Sequence, residues 1–146
     1  MVTGLYVPLT WTLLAEAKAG EGQFGDALAI LDEQLVEVDR TGQQWLTAEI
    51  HRRRGELLLR KDPSDPVAAE TAFRHAIETA RRQQAATFEL RAGLSLAKLY
   101  LASGAGEQAR QVLAPVVGKF TSTLELPEAH EAKEVLDRSA KTNPCD

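Results

Sequence analysis

The chain has 146 residues, with 17 Lys+Arg against 21 Asp+Glu and a formal net charge of -4. That length is one domain's worth, able to bury about two-thirds of the surface its unfolded form exposes without a metal or a disulfide. The near balance of charge excludes an overall cationic field for nucleic acid, no apolar run approaches the ~18 residues of a membrane span, and the single Cys145 excludes an internal disulfide or a zinc site of several thiolates.

In chain order, Trp11, Leu14 and Ala15 fall at helical spacing between Leu9 and Ala19, and Gly20 and Gly22 stop that helix. A second helix, from about Phe24 to Arg40, carries Ala27, Ile30, Leu31, Gln34, Leu35 and Val38 on one face, with Gly42 as its stop. A third is expected from about Trp45 to Arg60, with Trp45, Ala48, Gly55 and Leu58 on its buried stripe. The KDPSDP segment breaks it. Asp65 before Pro66 predicts a capped start for a fourth helix that runs to about Gln84 and turns Ala69, Ala72, Phe73, Ala76, Ile77 and Ala80 inward. Thr87 is the expected cap of a fifth helix bearing Ala92, Leu96, Leu99 and Tyr100. Ser103 to Gly106 turns the chain into a sixth, with Ala109, Val112, Leu113, Val116, Val117 and Phe120 inward and a kink expected at Pro115. Pro127 opens a seventh, to about Ala140, with Ala129, Ala132, Val135 and Leu136 inward and Glu128, Glu131, Lys133, Glu134 and Asp137 toward water. No alternating period-2 segment survives, so the chain is all-α.

The faces that begin at Ala27, Ala69 and Ala109 follow one template, residues 0, +3, +4, +7, +8 and +11, and only Gln34 on it is polar. Their spacings, 42 (69 minus 27) and 40 (109 minus 69), describe a repeated unit. The units are hairpins at approximately 9–41, 45–84 and 87–120, followed by a capping helix at 127–140. Each has a small residue in its first helix, an Ala-x3-[aromatic or Leu] pair in its second and a turn between. This pattern resembles the tetratricopeptide repeat. Trp11, Leu14, Ala15, Gly22, Phe24, Ala27 and Leu31 carry it in the first unit, Gly55, Leu58, Ala69, Phe73 and Ala76 in the second, and Leu96, Ala97, Tyr100, Gly104, Ala109, Leu113 and Val116 in the third. The resemblance implies a right-handed α-solenoid of three hairpins, longer than the family's period of about 34 residues. From LLAEAKAGEGQFGDALAILDEQL through VLAPVVGKF the chain is also similar to the C-terminal repeat region of large bacterial signalling ATPases, many of which carry a nucleotide-cyclase domain. None of the catalysis is implied, because no G-x-x-x-x-G-K-[ST] is present.

Gly20-Glu-Gly22-Gln-Phe-Gly25, with Asp39 downstream, matches a dinucleotide fingerprint in letters, but a helix precedes it where that fingerprint needs a strand. His51, His75 and His130 have no ligand partner three or four residues along their own helices, and the pairs Asp32/Glu33 and Glu37/Asp39 have no adjacent nucleophile. No cofactor and no catalysis are therefore expected. In tetratricopeptide arrays the first helix of each hairpin lines the concave face, and carrying those positions over selects Thr12, Glu16, Glu49, Arg52, Glu56, Arg60, Arg91, Leu94 and Lys98. They describe a mixed-charge groove with a basic side, suited to an acidic or amphipathic peptide or to a neighbouring domain. Glu16 would repel a terminal carboxylate, unlike the clamp that holds chaperone C-termini.

Leu5, Tyr6, Val7, Leu9 and Leu13 form an apolar association face, expected to continue a longer array or, in the isolated chain, to be hidden by folding Leu5 to Val7 back or by bringing two copies together as a homodimer. With no cationic leader in MVTGLYVPLTW, the overall expectation is a cytoplasmic, non-catalytic scaffold for a protein or peptide, without nucleic-acid or membrane partners. The rival expectation is a ligand-sensing regulatory module of a signalling ATPase or nucleotide cyclase.

Overall fold

The computed structural model describes the backbone of residues 3–120 and 126–141 and, within them, the side chains from Thr10 onward. Among the described residues the chain forms helices and turns without a strand: α1 (Thr3–Gly20), α2 (Phe24–Thr41), α3 (Thr47–Lys61), α4 (Val67–Arg82), α5 (Ala86–Ala102), α6 (Gly106–Val117) and α7 (Pro127–Lys141), with a 3-10 turn at Gln44–Leu46. No helix among them is long and apolar enough to cross a membrane.

Three connections share one geometry. Gln23 donates its backbone N–H to the Lys18 carbonyl at 2.9 Å, Ala85 to Ala80 at 2.9 Å and Ala105 to Tyr100 at 2.8 Å. Each bond closes over a left-handed residue, Gly22 (φ 79), Gln84 (φ 55) and Gly104 (φ 77). Such a turn satisfies a carbonyl that the helix end would otherwise leave bare, and the next helix starts two residues later. Gln84 does so with a side chain, at a cost of about 1 kcal/mol.

The α3–α4 connection is built differently. Asp62 is extended (φ -141, ψ 90), and its Oδ1 accepts the Ser64 N–H at 3.0 Å and the Ser64 hydroxyl at 2.6 Å. Asp65 Oδ1 accepts the Val67 N–H at 3.2 Å across Pro66, which already has helical angles. That is the cap its sequence predicts. Thr87, by contrast, lies inside α5, which begins at Ala86 without a side-chain cap. Pro115 falls in the last turn of α6, so little helix remains beyond it to bend, and Phe120 packs half-buried past the helix end.

Consecutive helices pack on each other throughout; in addition α3 packs on α5 and α5 on α7. Ala15, Ala19, Ala27, Leu31, Val38, Ile50 and Leu57 form one apolar cluster among α1, α2 and α3. A second runs from Ala69 and Phe73 of α4 through α5 and α6 to Val135 of α7. Phe73 is the largest fully buried side chain among the described residues, and its burial contributes about 2 kcal/mol. Its ring lies so close to α3 that a β-carbon on Gly55 would meet Phe73 Cε1 at 2.6 Å.

Two expected packing residues differ. Leu14 is 51% exposed: among the described residues α2 is the one helix packed extensively on α1, and Leu14 lies off that contact. Trp45 is 49% exposed because it sits in the 3-10 turn rather than on the α3 stripe.

Candidate functional site

The odd-numbered helices are joined on one side by a ladder of ion pairs, and it contains most of the residues expected to line a groove. At its centre Arg52 is buried. Its Nε and Nη2 donate to the two oxygens of Glu49 at 2.9 and 2.6 Å, and its Nη1 donates to Glu56 and, at 3.4 Å, to the Ser95 hydroxyl of α5. Toward α1, Arg53 and Arg60 grip the two oxygens of Glu16 at 3.2 and 3.1 Å. Toward α5 and α7, Arg91 lies 3.5 Å from Glu49 and 3.6 Å from Glu128, and Lys98 pairs with Glu131.

Burial, the largest influence on Glu49, pushes its carboxyl up. The Arg52 hydrogen bond and the charges of Arg52, Arg91 and Arg53 together outweigh it and hold the group below the usual carboxylate range. Arg52 is likewise disfavoured by burial, but Glu49 and Glu56 raise it. Both stay charged.

Each cation of the expected basic side, Arg52, Arg60, Arg91 and Lys98, therefore faces a carboxylate of the protein itself. The (i, i+4) spacing of Glu49 and Arg53 foretells their pair, made at 3.2 Å, but sequence reasoning left Arg53, Glu128 and Glu131 out of the groove. Glu128 and Glu131 belong to the side of α7 expected to face only water, yet they reach α5 because α7 packs against it. Of the successive arginines, 52 and 53 converge on Glu49, the latter at 3.2 Å, whereas Arg54 turns away to Asp32 of α2 at 2.8 Å.

Beside the ladder, α3, α5 and the α3–α4 turn enclose a cleft of about 490 Å³. Leu59, Pro63, Pro66, Phe73, Leu99 and Ala102 line it with apolar surface, while Glu56, Ser95, Lys98 and Ser103 supply the polar rim. Ser95 approaches Glu56 at 3.4 Å, and Ser103 donates its hydroxyl to the Tyr100 carbonyl at 2.9 Å.

Of the remaining expected groove residues, Thr12 is half-buried on α1, and Leu94 is 5% exposed in the apolar core, unavailable to any ligand. Leu13 is 62% exposed. The side chains of Leu5, Tyr6, Val7 and Leu9 lie outside the described residues, as does Cys145. Gly20, Gly22 and Gly25 mark the end of α1, its turn and the start of α2, with no strand before them.

His51 and His75, 24 residues apart (75 minus 51), meet edge to face across α3 and α4, their ring centroids 5.7 Å apart. Burial first, then His75 and Arg54, lower the affinity of His51 for a proton. Inspecting each helix separately could not find this pair. Among the described residues, no group of three or more histidine, cysteine or carboxylate side chains is placed to hold a metal ion. No protein-family model, curated protein or solved structure matches the chain.

Proposed function

We propose that the chain is a right-handed α-solenoid of three tetratricopeptide-like hairpins and a capping helix, and that it serves as a non-catalytic interaction module. A peptide or a neighbouring domain would lie along the concave side formed by α1, α3, α5 and α7. The observation that carries this reading is the stacking order: α3 packs on α5 and α5 on α7, beyond the contacts between sequence neighbours. In a two-helix repeat, first helices of successive units lie side by side, as α3, α5 and α7 do; α1 reaches α3 through Glu16, held by Arg53 and Arg60. The recurring left-handed turns at Gly22 and Gly104, and the cleft beside the ladder, also support it.

The test is selection of binders from a random-peptide display library on the whole chain, followed by NMR mapping of each binder on the isotope-labelled protein. Perturbations concentrated on α1, α3, α5 and α7 are expected. An absence of specific binders, or perturbations confined to α2, α4 and α6, would overturn the reading. A second reading, a sensor module of a signalling ATPase or cyclase, is favoured by the cleft's volume, which lies within the range of about 300 to 1,000 Å³ typical of small-molecule sites.

A further inference from the structure

The cleft between α3 and α5 has two properties that together specify what it can hold. Its walls are set before any ligand arrives. Pro63 and Pro66 each fix their own φ. The Asp62 turn over Ser64 and the Asp65 cap on Val67 fasten the segment between them. Phe73 forms part of the lining because Gly55 has no β-carbon to keep the ring away from α3. An occupant thus meets a formed surface and does not have to order one.

The second property is electrical. Each polar group on the rim is already engaged: Glu56 by Arg52, Ser95 by Arg52 and Glu56, Lys98 by Glu131, and Ser103 by the Tyr100 carbonyl. The carboxylates of the ladder (Glu16, Glu49, Glu56, Glu128, Glu131) equal its cations (Arg52, Arg53, Arg60, Arg91, Lys98). A charged ligand would have to displace a pair that is already made. An apolar one displaces only water.

Building on the interaction-module reading above, we propose that this cleft takes one bulky uncharged side chain, of leucine, methionine or phenylalanine type, projecting from a partner peptide that lies across α3 and α5. Recognition is then by an apolar anchor and not by the acidic character that the arginines of these helices suggest. Ala102, exposed on the cleft wall at the end of α5, is the position at which to block it.

The experiment uses the library binders of the preceding section, measured by calorimetry against the whole chain and against Ala102→Phe and Ala102→Glu, with thermal melts to establish that both variants fold. The expected result is a shared leucine, methionine or phenylalanine, an affinity constant within about twofold across low and high salt, and a loss of about tenfold or more in both variants. Replacing the shared residue of the peptide by alanine should give a loss of similar size. Acidic binders whose affinity collapses in salt and survives in both variants would overturn the apolar anchor while leaving the interaction module standing. An absence of binders would overturn both. Binding of N-acetyl-phenylalanine amide alone at the affinity of the whole peptides would also overturn it, in favour of a small-molecule site.

Discussion

Gly55 and Gly93 both sit inside helices, where glycine costs up to about 1 kcal/mol relative to alanine, and their surroundings give opposite reasons for it. A β-carbon at residue 55 would press into the Phe73 ring at 2.6 Å, whereas at residue 93 the nearest atom, Leu113 Cδ1, would be 3.8 Å away. Gly55→Ala should therefore destabilise the protein by about 1 to 2 kcal/mol despite its better helix propensity. Gly93→Ala should stabilise it by about 0.5 to 1 kcal/mol. Urea titrations of the two variants check both signs. Gln84 is the converse case, a side chain where the turn geometry favours none. Gln84→Gly should raise the urea midpoint, by about 0.5 kcal/mol in stability, since the relief of left-handed strain exceeds the added chain entropy.

At the scale of elements, Glu89 joins three parts of the fold. Buried in the first turn of α5, it accepts from Arg81 at the end of α4 at 2.7 Å and from Lys119 beyond α6 at 2.6 Å. Burial raises its pKa most strongly, but the hydrogen bonds and charges of Arg81 and Lys119 win and lower it. A carboxyl lowered in the folded state stabilises it fully above its unfolded value. That contribution is lost as pH falls through the folded value, because the unfolded chain takes up its proton first. Stability should thus decline from about pH 4 downward, and Glu89→Gln should flatten part of that slope in urea midpoints measured across pH.

The helices themselves were legible because their apolar periodicity is local. None of the template residues of α2, α4 and α6 is exposed, and Gln34 is as buried as its apolar neighbours. What sequence could not supply were events between helices. Glu128 and Glu131 read as solvent residues until α7 is laid on α5. Trp45 reads as a stripe residue until the 3-10 turn rotates it out. Glutamine carries no signal for a left-handed turn, so Gln84 could not be anticipated as Gly22 and Gly104 were.

For the whole molecule, the described part of α1 carries an exposed apolar pair. Leu13 and Leu14 of α1 are 62% and 51% exposed, neighbours of the kind that associate. Light scattering across a concentration series should give a mass that rises toward a dimer and falls back in Leu13→Glu/Leu14→Glu. A constant monomer mass in both would show that this surface does not bring copies together.

The ladder also has a mechanical consequence. Its rungs join α1 to α3, α3 to α5 and α5 to α7, so a pull applied between the first and last helices loads them in series. Rungs in series yield one at a time, the weakest first. The exposed tie of Lys98 to Glu131 and the long contact of Arg91 with Glu128 would part before the contact of Arg91 with the more deeply buried Glu49 of α3. The chain would then lengthen by shedding α7 before its centre gives way, as a tether does that must stretch without tearing.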